Sequence, residues 1–180
     1  MSKFYTEITS RLQKFIEAQK IFFVATAPSS GRINLSPKGM DSFRVIDKNH
    51  VLWLSVTGSG NETAAHLSEN ERITILFCSF EKAPNILRLY GKGKEIKPKD
   101  ENWNELISLF PETPGTRQIF KISIESAQTS CGMSIPFFEF KGERDDLNDW
   151  ATMQGKKGIE NYWEDKNQSS IDGLSTHILN

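Results

Sequence analysis

The sequence predicts a mainly β, α+β fold in which about six antiparallel strands close into a small barrel with helices at its flanks. Three observations point there. Short segments rich in aromatic and β-branched residues recur at 21–27, 51–56, 72–80, 85–96 and 117–127. Turn-rich connections join them as in a meander, and helical periodicity is confined to short stretches beside them. Closing such a sheet removes the exposed edges that antiparallel strands otherwise present to other chains.

In chain order, Ile8, Leu12, Phe15 and Ile16 form one apolar stripe and predict a first helix that ends near Lys20. Ile21 to Ala27 reads as a buried strand, Pro28 to Gly31 as a turn, and Arg32 to Ser36 as the returning strand of a hairpin. Pro37-Lys38-Gly39 interrupts that strand, because proline cannot donate to a central ladder, and Phe43 to Ile46 resumes it. Val51 to Val56 runs into Gly58-Ser-Gly60, a strand-to-helix corner, and the next helical stretch reaches Leu67. Ser59 and Glu62 have the S-x-x-E spacing of a capping box. Arg72 to Phe80 and Asn85 to Ile96 are the fourth and fifth strands. Asp100 can cap a helix striped by Trp103, Leu106, Ile107 and Phe110 before Pro111. Arg117 to Ala127 alternates as the sixth strand, and Phe137 to Phe140 could add a short one. A helical C-terminal extension is expected from about residue 143.

Composition sets the broad class. A chain of 180 residues buries about 70% of its extended surface, so one domain spanning 1–180 needs no staples. With 22 Lys+Arg against 23 Asp+Glu, the net charge of −1 argues against a general nucleic-acid binder. Cys78 and Cys131 form no C-x-x-C and no Cys/His cluster, which favours a reducing, cytoplasmic setting. The first residues hold no signal-peptide core, and no apolar run approaches the roughly 18 residues of a membrane span. Neither nucleic acid nor membrane is an expected partner.

Several chemistries lack the residues they need. His50, His66 and His177 share no metal-ligand spacing with the cysteines or with each other. No nucleophile elbow, Walker pattern or dinucleotide fingerprint occurs. What remains is a group of anion-binding side chains around one corner. Ser36, Lys38 and Arg44 lie on the strand before it, Arg88 on a strand after it, and Ser59, Gly60, Asn61, Glu62 and Thr63 form it. Glycines there let a backbone approach a ligand, and the N–H groups of a helix start favour anions. Lys38, held between Pro37 and Gly39, is the strongest candidate for a charge-assisted bond. Arg32 and Lys92 read as solvated strand faces.

These stretches carry a resemblance. Phe22 to Ala27, Asn34 to Gly39 with Asp41, Gly58 to Leu67, Arg72 to Phe80 and Leu87 to Gly91 resemble, in order and spacing, the pyridoxamine 5'-phosphate oxidase-related FMN-binding split-barrel family. Ser130-Cys-Gly132 and Ser170 to Leu174 resemble the tail of one branch of it. The resemblance implies a six-stranded antiparallel split β-barrel with flanking helices, forming a homodimer with FMN at the subunit interface. It implies that Ser36, Lys38 and the Ser59–Thr63 corner hold the flavin phosphate and ribityl chain. The expected activity is a flavin-dependent oxidoreductase, with a small-molecule substrate or electron donor that the sequence does not name. The alternatives are the same fold holding the deazaflavin F420 or haem, or a non-catalytic flavin-binding sensor or scaffold dimer. Two departures stand out: Asn61-Glu62-Thr63 replaces the basic corner of many members, and the C-terminal Arg-x-His type of motif is missing, which argues against pyridoxamine phosphate as substrate.

Overall fold

The computed structural model describes residues 2–81 and 83–180. Strands β1 (Lys3–Tyr5), β2 (Phe22–Thr26), β3 (Asn34–Lys38), β4 (Phe43–Val45), β5 (His50–Val56), β6 (Arg72–Cys78), β7 (Asn85–Ile96) and β8 (Thr116–Cys131) form one antiparallel sheet. Its order is β3-β2-β6-β7-β8-β5-β4, with β1 paired to β8. Helices α1 (Ser10–Glu17), α2 (Glu62–Asn70), α3 (Trp103–Ile107) and α4 (Asp146–Lys166) flank it. This is an antiparallel half-barrel of the split-barrel α+β class that the sequence predicts.

The long strand β8 is the spine. Its first half pairs with β5 and its last residues with β1, while β7 runs along its other edge. The sheet curls on itself: Phe22 on β2 and Phe43 on β4, near opposite ends of the strand order, stand 5.0 Å apart ring to ring. Phe77 on β6 meets both, at 5.7 and 5.2 Å. Inside the curl, Val24, Ile75, Leu87, Leu89, Phe120 and Ile122 are fully buried. Helix α1 closes one end with Leu12 and Ile16, after Thr9 accepts the Leu12 N–H at its hydroxyl.

Eight strands stand where six were expected. Pro37 lies on edge strand β3, where its missing donor costs least, and the chain then breaks pairing, so the interrupted strand 32–46 is two strands. Three-residue β1 is too short to have a period. Phe137 to Phe140 forms no strand; Phe137 is 80% exposed, and the Phe138 N–H bonds the Phe80 carbonyl instead. The C-terminal extension is helical, as α4, and bends at Gly155, which has φ of 60°.

Register decides which way each candidate residue faces, because directly opposed residues share a face. Lys38 and Ser36 oppose Phe22 and Val24, so they face the inside of the curl. On β7, Leu87 and Leu89 face inside and Arg88 outside. Arg88 stands in one row with Leu76, Gln128 and exposed Phe4.

Candidate functional site

A cavity of about 460 Å³ lies between the end of β3, strand β5 and the segment leading into α4. Lys38, Trp53, Ser55, Thr57, Gly58 and Leu147 line it, with Glu112, Glu143 and Asp145 at its rim. Lys38 and Gly58, separated by strands β4 and β5 in sequence, therefore line one cavity, whereas Ser59 to Thr63 do not. A Cβ added at Gly58 would touch nothing within 4 Å. Neither Gly58 nor Gly60 has positive φ, so the corner does not require glycine for its backbone angles.

Lys38 is half-buried, and its Nζ lies 5.2 Å from the centre of the Trp53 ring. Among the described residues no carboxylate lies within ion-pair distance of it. Burial, and then the nearby positive charge of Arg117, pull its pKa down to about 8. A desolvated cation without a counter-ion is costly unless something negative joins it.

Arg117 is the residue that the sequence left as an ordinary strand start. It is 5% exposed. Its Nη1 donates to the Gly60 carbonyl at 3.1 Å and to Asn167 Oδ1 at 2.8 Å, and its Nη2 donates to Ser55 Oγ at 3.3 Å. Burial lowers its pKa to about 10, against the pull of Glu95 and Tyr162, so it stays charged at neutral pH. Asn167 Nδ2 donates to the Gly58 carbonyl at 3.0 Å. Thr57 accepts from Trp163 Nε1 and donates to the Gly115 carbonyl, both at 2.8 Å. The only sequence signal for this cluster was a cation inside an apolar strand pattern.

The other expected residues are placed differently. The Ser59–Glu62 capping box does not form. Helix α2 begins after Asn61, whose side chain instead pairs reciprocally with buried Gln118, at 2.7 and 3.3 Å. Ser59 is exposed. Glu62 turns to the chain's own tail and accepts the Ile171 N–H at 3.0 Å. Gly60 offers its carbonyl to Arg117, and Thr63 is buried in the first turn of α2. Ser36 shares the inner face of β3 with Lys38 but does not line the cavity. Arg44 is held by Asp41 at 2.8 Å through Nη2 and by the Leu109 carbonyl, and it lies 4.9 Å over Phe110. Arg88 donates to Ser130 Oγ on the outer face, away from Lys38. Of the nine expected ligand residues, Lys38 alone lines the cavity.

His66 is fully buried, with Nδ1 3.0 Å from Thr26 Oγ1 and Nε2 without a hydrogen bond, 3.8 Å from Glu62 Oε2. Among the described residues no cluster of three His, Cys, Asp or Glu side chains could hold a metal ion, and no helix is long and apolar enough to cross a membrane.

Comparison with known proteins agrees with this architecture. The family described as "Pyridoxamine 5'-phosphate oxidase" matches residues 8–131. The pyridoxamine 5'-phosphate oxidase family protein ustO of Aspergillus flavus is 33% identical, over 97% of this chain and 77% of that one. HupZ of Group A Streptococcus shares the fold with a TM-score of 0.52 at 20% identity, over 66% of this chain and 90% of that one. An FAD-binding protein of Mesorhizobium loti gives 0.50 at 14% identity, over 72% and 99%. With the matched stretch running from α1 through β8, the chain belongs to the pyridoxamine 5'-phosphate oxidase family.

Proposed function

We propose that the chain binds FMN in the Lys38–Trp53 cavity and acts, as a homodimer, as an oxidoreductase on a small molecule. The observation that carries this reading is Lys38, a desolvated cation without a counter-ion, in a cavity of the size that small-molecule sites have. Family membership supports a flavin, and an FAD-binding protein is among those that share the fold. The Lys38 end of the cavity fits an anionic aromatic cofactor: a cation, an indole wall, and open space beside Gly58, while Asp41, Glu112, Glu143 and Asp145 in the rest of the lining would repel the anionic group from there. They do not fit a phosphate held at the start of α2, because Glu62 is there and would repel it.

Bound flavin would supply hydride transfer, while the protein supplies position and electrostatics. Lys38 holds the anionic end. Ser55 accepts from Arg117, so its own proton is left to donate to the ligand. Leu147 helps to keep water from that end of the cavity. Arg88 faces away from Lys38 within one protomer, so it can join a flavin site only where a second copy brings its outer face to the cavity. Exposed Phe4, Ile33 and Leu35 on that side of the sheet give such a contact an apolar surface.

The absorbance spectrum of the purified protein, with and without added FMN, tests the reading. Oxidised-flavin bands that stay with the protein through gel filtration, at the size of a dimer, are expected. A colourless protein that does not retain FMN would return the chain to the scaffold alternative, and a Soret band to haem.

A further inference from the structure

The family match ends at Cys131, yet one part of the cavity wall is built by residues beyond that point. Glu143, Arg144, Asp145, Leu147 and Asn148 supply it. Residues 163–171 grip the corner from behind: Trp163 bonds Thr57, Asn167 bonds the Gly58 carbonyl, and Ile171 bonds Glu62. Arg117 joins the two sides, because one guanidinium reaches Ser55, the Gly60 carbonyl and Asn167 together. Asn167 is fully buried, and its own carbonyl accepts from Thr176 at 2.5 Å. Farther along, Asp172 accepts the Arg32 N–H at 2.6 Å and pairs with the Arg32 side chain. Lys97 bonds the His177 carbonyl.

We propose that Arg117 and Asn167 are positioning residues, through which the C-terminal segment sets the shape of the cavity wall at Ser55–Gly60. The proposal rests on the FMN reading for the identity of its ligand, but the latch itself is drawn from the protein alone. The physical ground is that both side chains bond backbone carbonyls of a loop rich in glycine, which otherwise samples many conformations. Fixing that loop beforehand removes an ordering cost from binding. By linkage, a ligand resting on the wall must in turn favour the docked tail.

Hydrogen exchange read by mass spectrometry on the full chain, with and without FMN, tests this in wild type, Asn167→Leu and Asn167→Asp. In wild type, FMN is expected to slow exchange across 163–176 by about five-fold or more, within the range of ordinary couplings. In Asn167→Leu, residues 57–63 should exchange faster without ligand, FMN affinity should drop by a similar factor, and FMN should no longer protect 163–176. Asn167→Asp keeps the acceptor for Arg117 and loses the donor to Gly58, so it should fall between them. That partial rescue would not arise from a general loss of packing. Unchanged exchange at 57–63 in the variants, or FMN binding to wild type that leaves 163–176 unaffected, overturns the proposal. If FMN does not bind wild type at all, the flavin reading fails and the ligand-free exchange at 57–63 decides the latch. Should Asn167→Leu not fold, Asn167→Asp carries the same comparison.

Discussion

The two sides of the cavity contrast. At the glycine corner, Ser59 is exposed, but the side chains of Thr57, Asn61 and Glu62 and the Gly58 and Gly60 carbonyls are engaged within the chain: Thr57 twice, Asn61 with Gln118, Glu62 with the tail, and Gly58 and Gly60 through Asn167 and Arg117. At the end of β3, Lys38 has an indole face and no counter-ion. Both sides looked like anion sites in the sequence. Their difference separates architecture from binding: a buried polar group with its partners satisfied stabilises the fold, whereas one without a partner is stabilised by a ligand.

The contrast can be broken most forcefully at Arg117. Arg117→Ala should cost about 3–5 kcal/mol in urea unfolding, since it leaves the Gly60 carbonyl, Asn167 Oδ1 and Ser55 Oγ without their donor in a buried setting. A loss under about 1 kcal/mol would mean that the corner is not held by this network.

Acidity sharpens the other side. The folded pKa of Lys38, about 8, lies below its ordinary 10.5. Between these values the unfolded chain holds more protons, so this group makes stability rise with pH across that window. If Lys38 holds the FMN phosphate as proposed, binding should run the opposite way, because the ligand would need the charged amine. Affinity should fall by up to about tenfold per pH unit above about pH 8. Affinity that is flat from pH 7 to 9.5 would separate Lys38 from the ligand.

A smaller effect of the same origin concerns stability. Lys38→Met removes a desolvated charge and keeps the contact with Trp53, so it should raise stability by about 0.5–2 kcal/mol while weakening FMN binding. A variant less stable than wild type would show that Lys38 has a structural partner. The smallest effect is expected at Gly58→Ala. Its melting temperature should stay within about 1 °C of wild type, as expected for a site with no neighbour within 4 Å. Any loss of FMN affinity there reports ligand contact at the corner, and unchanged affinity places the ligand nearer β3.

Much of this was legible in the chain. The hairpin of β2 and β3, the strand-helix corner, the β6–β7 pair and the late helix all arise from local pattern, and of these the end of β3, the start of the corner and the start of the helix line the cavity. Lys38 was legible too, because a lysine between Pro37 and Gly39 on a strand is unusual. Less visible was whatever depends on distant partners. Arg117 looked like any strand cation until Asn167, fifty positions away, met its guanidinium. Ser59 and Glu62 matched a capping motif, yet Ile171 captured Glu62. Arg44 was drawn toward Asp41, three positions earlier, a spacing that could have warned of the pair. Arg88 failed to join Lys38 for a simpler reason: alternation along β7 turns it to the outer face.

The central claim is that Lys38 meets the anionic end of the bound cofactor. Dissociation constants for FMN and for riboflavin, which lacks the phosphate, measured on wild type and Lys38→Ala test it most directly. The account predicts that the substitution weakens FMN by about 1.5–3 kcal/mol and leaves riboflavin almost unchanged. Equal losses for both ligands, or none for either, would contradict it.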